Sequence, residues 1–202
     1  MKIVVFGLSV TSTWGNGHGT TFRALLRALR ERGHAITFFE KNVEWYASNR
    51  DLPAPEFCCV RLYDDWSECL AEARRELDEA DVAMVGSYFP DGIAAIDEMS
   101  ASNAKVKTFY DIDTPITVSN LRNHGRTEYL ERRQIPSLDI YFSFTGGPLL
   151  GELEERFGAP RAFPLYCSVY PEHYRRFGVN QRFACDLSYM GTYAPDRQPK
   201  ID

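Results

Sequence analysis

The chain has 202 residues, of which 44% are hydrophobic and 25% charged, a composition typical of a soluble globular protein with one sizeable core. Its formal net charge of -5 argues against a nucleic-acid partner, and no apolar run approaches the roughly 20 residues that a membrane span needs. The five cysteines lack the spacing of a zinc site and fit reduced thiols, so we expect a cytoplasmic protein.

The first 40 residues predict a strand, a long glycine-rich loop, a helix and a second strand. The opening "KIVVF" (2–6) reads as a buried strand, because no small-residue cleavage pattern of a signal peptide follows it. The loop "GLSVTSTWGNGHGTT" (7–21) precedes an amphipathic helix that Thr20 or Thr21 can cap and Gly33 can end. With "HAITFFE" (34–40) as the next strand, the segment predicts a βαβ unit.

The pattern of strand and helix then repeats along the chain. Residues 41–57 read as an irregular excursion because of Pro53 and Pro55. Further strands are predicted over 58–63, 81–88, 106–112, 138–144 and 161–169, and helices over 64–80, 93–99, 116–121 and within 145–158. Apolar strands alternating with amphipathic helices favour a doubly wound, mainly parallel, Rossmann-like α/β domain over residues 1–170.

The end of the chain departs from this pattern. Residues 171–185 resemble an interdomain connection, and residues 186–202 begin with a strand-like "DLSYMG" that has little to pair with. We expect 186–202 to open a second domain, of which only the start is present. The alternative is that this segment adds to the edge of the first sheet.

In an open parallel sheet, ligands bind beyond the carboxyl ends of the strands, where the strand order reverses. That rule selects the loops at 11–20, 87–92, 111–115, 145–148 and 167–170. They hold the polar or flexible residues His18, Ser87, Tyr88, Asp111, Asp113, Thr114, Thr145 and Gly146. A binding site is therefore predicted at this edge.

The glycine loop is the first candidate within that edge. Gly15, Gly17 and Gly19 suggest either positive φ or close approach of a ligand, such as a phosphate, at a helix N-terminus. Their spacing matches neither the dinucleotide fingerprint nor the P-loop, which argues against an NAD-dependent enzyme. His18 suits general acid/base chemistry, and the alternative is that it only holds the loop together.

The second candidate is the pair of carboxylates in "FYDIDTP" (109–115). Asp111 and Asp113 match a D-x-D pattern, and alternate residues of a strand share one face, so the two could hold a divalent ion. The simpler interpretation is that Asp113 caps the helix that starts at Thr114 and Pro115. Asp111 then remains as a strand-end carboxylate pointing toward the cleft, a candidate base or hydroxyl acceptor.

The order of "GNGHGTTFRALLRALRERGHAITFFE", "FYDIDTP" and "DLSYMGTYAPDRQP" resembles the N-terminal half of a GT-B glycosyltransferase, and most of all the CgeB-like (spore maturation protein) group. The resemblance implies two Rossmann-like domains across a cleft, the first chiefly binding the acceptor and the second the nucleotide sugar. It makes His18 and Asp113 candidates for contacting the acceptor or acting as the base, so the predicted catalytic residues are His18, Asp113 and the strand-end Asp111. It also implies that Gly15, Gly17 and Gly19 approach the donor phosphates and that Gly191 and Arg197 contact the diphosphate. With the residues of the sheet-edge loops, the predicted substrate-binding residues are Gly15, Asn16, Gly17, Gly19, Thr20, Tyr88, Thr114, Gly146, Gly191 and Arg197.

The implied function is metal-independent transfer of a sugar from a nucleotide-sugar donor to an unknown acceptor, with no further cofactor. The donor-binding domain is absent from the sequence, so we expect this chain alone to be inactive and its C-terminal domain to lie in the same or another chain. The alternatives are a non-catalytic Rossmann-like module that binds a nucleotide or a protein and, third, an NAD-linked enzyme.

Overall fold

The computed structural model describes residues 1–189 and divides the chain into two compact units, Met1–Tyr170 and Pro171–Asp202. The first unit contains a seven-stranded sheet in which every neighbouring pair is parallel. Its strands are β1 Lys2–Phe6, β2 Ala35–Lys41, β3 Cys59–Tyr63, β4 Val82–Gly86, β5 Val106–Asp111, β6 Ile140–Ser143 and β7 Ala162–Pro164. Its helices are α1 His18–Glu31, α2 Glu44–Ala47, α3 Trp66–Asp78, α4 Gly92–Ala101, α5 Thr114–His124 and α6 Pro148–Glu155.

The strand order β3-β2-β1-β4-β5-β6-β7 reverses direction between β1 and β4. Because right-handed crossovers place helices on opposite faces for opposite directions of winding, α1 lies on one face and α3 to α6 on the other. Alternate residues of β1 accordingly enter different cores: Val4 and Phe6 pack with Leu77 of α3, whereas Ile3 and Val5 pack with the α1 side chains. The predicted doubly wound, Rossmann-like α/β fold is confirmed.

Some boundaries differ from those predicted. The excursion at 41–57 contains the short helix α2, and a 3-10 helix over Arg132–Ser137 was missed because Pro136 interrupts the helical pattern. Helix α5 runs on to His124, where Gly125 with φ of 72° ends it. Strand β7 has three residues and ends at Pro164, which is tolerated because β7 is an edge strand; the next N–H, of Leu165, still donates to the Ser143 carbonyl at 2.7 Å.

The start of α1 also differs from the prediction. The helix begins at His18 with Gly17 as its N-cap, so neither Thr20 nor Thr21 caps it. The capping bond comes from Asn16 instead, whose side-chain oxygen accepts from the backbone N–H of Gly19 at 2.8 Å. The predicted C-terminal signal holds, since Gly33 follows the helix with φ of 81°.

The second unit is described as far as residue 189 and contains two short 3-10 helices, Pro171–His173 and Gln181–Phe183. The predicted strand at 186–191 lies partly outside the described residues, and 186–189 are not in a strand. No helix within residues 1–189 is both long and apolar enough to cross a membrane.

Candidate functional site

The candidate site lies at the carboxyl edge of the sheet, where β1 and β4 are neighbours and their chains leave in opposite directions. In open α/β sheets this reversal opens a crevice that binds ligands. The loop after β1 delivers His18, the loop after β4 delivers Tyr88, and the turn after β5 delivers Asp113. Contacts between their side chains bring these three predicted residues together.

His18 and Asp113 form a loose pair. The imidazole Nε2 lies 3.4 Å from a carboxylate oxygen of Asp113, longer than the roughly 2.8 Å of a tight charge-assisted hydrogen bond. The His18 side chain is 8% exposed and the Asp113 side chain 37%. His18 Nδ1 is buried and has no hydrogen-bond partner within residues 1–189.

The orphaned Nδ1 decides which tautomer of neutral His18 fits the site. A proton on Nδ1 would leave that N–H unpaired and set the Nε2 lone pair against the Asp113 carboxylate, so the proton belongs on Nε2. The basic lone pair is then on Nδ1. The ring therefore has the orientation of a His–Asp dyad, in which a carboxylate fixes the tautomer and stabilises the imidazolium.

The side chain of Asp113 does not cap α5, so the simpler interpretation of the sequence is wrong on this point. It is the N-cap residue of α5 by position, but its side chain makes no capping hydrogen bond. Its backbone carbonyl accepts from Ile116 and Thr117, while its carboxylate turns to His18. The carboxylate is thus available to the crevice.

Tyr88 closes the crevice from the β4 side in a strained conformation. Its φ is 60°, the only positive value among the non-glycine residues described, and such values in bulky residues cluster at functional sites. Its ring meets the His18 ring edge to face at 5.5 Å and the Tyr129 ring at 4.8 Å. Burial, followed by the nearby carboxylates of Asp113 and Asp111, raises the pKa of Tyr88, so it stays a neutral hydroxyl.

The three glycines of the loop have different physical causes. Gly15 has φ of 65°, which L side chains rarely adopt. Gly19 packs so closely that an added Cβ would lie 2.5 Å from the Ser12 carbonyl oxygen. Gly17 has neither constraint: its φ is -83° and an added Cβ would meet nothing within 4 Å. Its exposed backbone is where an outside group could come close to the N-terminus of α1.

The N-terminus of α1 also retains hydrogen-bonding capacity. Asn16 satisfies the N–H of Gly19, and Gly17 satisfies that of Thr21. The N–H groups of Gly17, His18 and Thr20 have no partner in the described part of the chain. Such groups, together with the positive end of the helix dipole, bind phosphates and other anions.

A residue that the sequence analysis missed holds this loop in place. Glu40, at the end of β2, is fully buried and accepts from Val10 N at 2.6 Å, Thr11 N at 3.0 Å, Thr11 Oγ1 at 2.5 Å and Ser9 Oγ at 3.2 Å. The only signal in the sequence is a glutamate next to the last residue of a largely apolar strand. The carboxylate fixes the path of the chain from β1 toward the glycines.

A second anchor lies on the outside of the same loop. Arg23 of α1 donates to the carbonyl of Val10 and makes a bidentate pair with Asp51 at 2.7 and 2.8 Å. Asp51 in turn accepts from both the backbone and the hydroxyl of Thr13. The Arg23 guanidinium holds the pKa of Asp51 well below its usual range. Arg23 is thus committed to the loop and not available to a ligand.

Asp111 does not point into the crevice as predicted. It is fully buried and accepts from Tyr141 Oη at 2.5 Å, Thr117 Oγ1 at 2.9 Å and Asp113 N at 3.1 Å. Burial raises the pKa of Asp111 to about 6, against the lowering effect of these donors. Such a carboxylate supports the turn that carries Asp113 and cannot touch a substrate itself.

The remaining predicted residues lie apart from this cluster. Thr114 is fully buried, and its hydroxyl donates to the Asp111 carbonyl, so the predicted substrate contact is replaced by a structural role. Gly146 packs against Tyr166, whose hydroxyl would lie 2.8 Å from an added Cβ. Gly191 and Arg197 lie outside the described residues.

The D-x-D carboxylates do not share one environment, since Asp111 is buried and Asp113 faces the crevice. Within residues 1–189, no group of three or more His, Cys, Asp or Glu side chains is placed to hold a metal ion.

The described groups offer a base, an anion cradle and a partly exposed carboxylate within one crevice. No protein-family model matches the sequence, and a search of curated proteins finds no significant match either. The function must therefore be argued from the site itself.

Proposed function

We propose that the chain is the acceptor-side domain of a metal-independent, nucleotide-sugar-dependent glycosyltransferase. The observation that carries the proposal is His18: a buried imidazole at the first position of a helix, paired with Asp113 and left with an unpartnered Nδ1. A base and an anion-binding helix end are thereby joined in one residue. Transfer of a group from a phosphate ester to a hydroxyl needs both.

In the proposed reaction, the crevice opens at the buried His18 Nδ1, and an acceptor hydroxyl donates a hydrogen bond to that nitrogen. The hydroxyl oxygen attacks the anomeric carbon of the donor sugar, its proton passes to Nδ1, and Asp113 stabilises the imidazolium that forms. The bond from the anomeric carbon to the phosphate oxygen breaks, and the nucleoside diphosphate leaves with the electron pair. The proposal makes Tyr88 a wall of the crevice that keeps water from the imidazole.

The leaving diphosphate is proposed to approach the exposed backbone at Gly17 and the unpaired N–H groups at the start of α1. The residues described contribute no uncommitted guanidinium there, since Arg23 is held by Asp51. We therefore propose that the remaining charge comes from a second domain, in this protein or a partner.

The test is release of nucleoside diphosphate from a panel of nucleotide sugars, with simple hexoses and water as acceptors. The enzyme is the complete protein: this chain, or the longer one wherever the reading frame continues past Asp202. We expect His18→Ala to reduce turnover of the accepted donor by about 10²–10⁴-fold, the usual contribution of a general base. The matched control is His34→Ala, because His34 lies in the turn before β2 and its side chain hydrogen-bonds, within residues 1–189, only to the chain's amino terminus.

Two further variants each replace one ring nitrogen of His18 with an amide group. His18→Gln can place its amide near Nε2 and keep a contact to Asp113, whereas His18→Asn places its amide near Nδ1. Both lack the base, so both should match His18→Ala in turnover while donor binding, measured by calorimetry, stays within a few-fold. Wild-type turnover in all three variants would refute the catalytic role, and absence of both turnover and nucleotide-sugar binding by the complete protein would refute the proposed function.

A further inference from the structure

A second pocket lies along α1, away from His18. Arg27 follows His18 by nine residues, which corresponds to about 13 Å along the helix axis. The pocket has a volume of about 490 Å³ and is formed by the exposed side of α1, the segment around residues 52–57, and Tyr170. It shares no lining residue with the crevice at the carboxyl edge of the sheet.

Arg27 is the unusual group in this pocket. Its guanidinium carbon lies 4.8 Å from the centre of the Phe57 ring and 4.7 Å from that of Tyr170. Its Nε is buried without a hydrogen-bond partner, and no carboxylate in residues 1–189 pairs with it. The other arginines of the first unit that contact aromatic rings, Arg132 and Arg156, each make a hydrogen bond through the guanidinium as well.

An arginine with aromatic rings on its faces keeps its donors at the edge, where a planar anion can bind in a fork. At Nε the surroundings exclude water, so this N–H stays unpaired at a cost in free energy until an acceptor arrives. The position is therefore poorly explained by packing alone, since the same aromatic contacts could be made by an apolar side chain without that cost.

The other lining residues limit what the anion can be. Arg30 adds a second positive charge, but Glu31 and Glu56 also line the pocket, so the charges of the lining balance. Because the lining carries no excess positive charge, the second charge of a phosphate monoester gains nothing there, whereas the single charge of a carboxylate matches the fork of Arg27. Leu52 and Phe57 offer an apolar wall beside it.

We infer that this pocket binds a small organic carboxylate with an apolar body, held by Arg27. The site is independent of the proposed glycosyl transfer and would exist whatever reaction the protein catalyses. The carboxylate accepts from the guanidinium edge, and its apolar body packs on Leu52 and Phe57. A neighbouring pocket of about 410 Å³ is also lined by Arg30, Glu56 and Phe57, so the two pockets together can hold a ligand with a longer apolar body.

The probe is 3-phenylpropionate, titrated into the full chain while the side-chain Nε–H signal of Arg27 is followed by NMR. We expect a saturable shift of that signal with a Kd of about 10 mM or tighter, as befits a small ligand. 3-Phenylpropylamine has the same body with the opposite charge and should leave the signal unmoved, and phenyl phosphate should bind more weakly than the carboxylate.

The variants complete the test. Arg27→Met keeps the aliphatic stem and should weaken 3-phenylpropionate binding at least about tenfold, measured by calorimetry. Arg32→Met removes an exposed arginine that bonds the Ala28 carbonyl outside the pocket and should bind like the wild type. An unmoved Arg27 signal in the wild type, equal binding of the amine, or unchanged affinity in a folded Arg27→Met would each overturn the inference. Tighter binding of phenyl phosphate would overturn the carboxylate class.

Discussion

Replacement of Glu40 tests whether hydrogen bonds to its buried carboxylate hold the glycine loop in place. One carboxylate oxygen accepts from two backbone N–H groups, of Val10 and Thr11, and the other accepts from the hydroxyls of Ser9 and Thr11. Glu40→Met keeps the length of the side chain and leaves both N–H groups unpaired in a buried site. At about 1–3 kcal/mol for each buried unsatisfied donor, we expect a loss of about 2–6 kcal/mol in the free energy of unfolding.

Glu40→Gln separates the hydrogen bonds from the charge. Its amide oxygen can still accept from both N–H groups, and its amide nitrogen can donate to the two hydroxyls, which turn to accept. Only the strengthening by the charge is lost, so we expect a loss of about 1–2 kcal/mol. Urea unfolding followed by circular dichroism measures both losses, and Glu44→Met, at an exposed position in α2, serves as the control.

Amide hydrogen exchange measures the effect of the substitution at the loop itself. In Glu40→Met the amide hydrogens of Val10 and Thr11 should exchange much faster than in the wild type, while those of the central strands follow only the change in global stability. Equal losses for the Gln and Met variants, or unchanged exchange at Val10 and Thr11 in Glu40→Met, would refute the reasoning from these bonds.

Two further predictions concern the loop and the buried carboxylate. Gly19→Ala should lower the free energy of unfolding by about 1–3 kcal/mol, because its Cβ would lie 2.5 Å from the Ser12 carbonyl oxygen. Gly17→Ala should change it by less than about 1 kcal/mol and, under the proposed function, weaken nucleotide-sugar binding. Equal stability losses in urea for the two variants would contradict this. Asp111 has a folded-state pKa of about 6 against 3.8 ordinarily, so it binds its proton more tightly when folded, and stability is lost as pH rises from about 4 to about 6, by up to about 3 kcal/mol. Asp111→Asn cannot titrate and should flatten that part of the pH dependence in urea unfolding, and an unchanged slope would count against the raised pKa.

The fold was largely predictable because its signals are local. Apolar runs such as "KIVVF" and "VAMVG" mark strands buried on both faces, and the residues between them carry the helical period. Alternation of the two fixes the parallel sheet and its handed crossovers. The edge where ligands bind follows from that topology, which is why His18, Tyr88 and Asp113 were predicted near one another and the structure brings them into contact.

Which of the two carboxylates is buried and which reaches the crevice could not be predicted from the sequence. Asp111 and Asp113 are two residues apart and chemically identical, yet one is sealed beneath Tyr141 and the other reaches the crevice. Burial of that kind depends on a tyrosine 30 residues further along the chain. Glu40 likewise meets partners about 30 residues before it, and no local pattern records such pairings.

Contacts with residues distant in sequence also explain how the backbone of the loop can be fixed and still have unpaired hydrogen-bond donors. From Ser9 to Thr13, most of its donors are paired by acceptors outside the loop, chiefly the carboxylates of Glu40 and Asp51. From Gly17 to Thr20, Asn16 pairs the N–H of Gly19, while the other three N–H groups and His18 Nδ1 have no partner within residues 1–189. A loop stabilised by its own groups would have none left for a ligand. Support from outside the loop therefore allows a fixed backbone to present unsatisfied donors, the preorganisation that binding a phosphate requires.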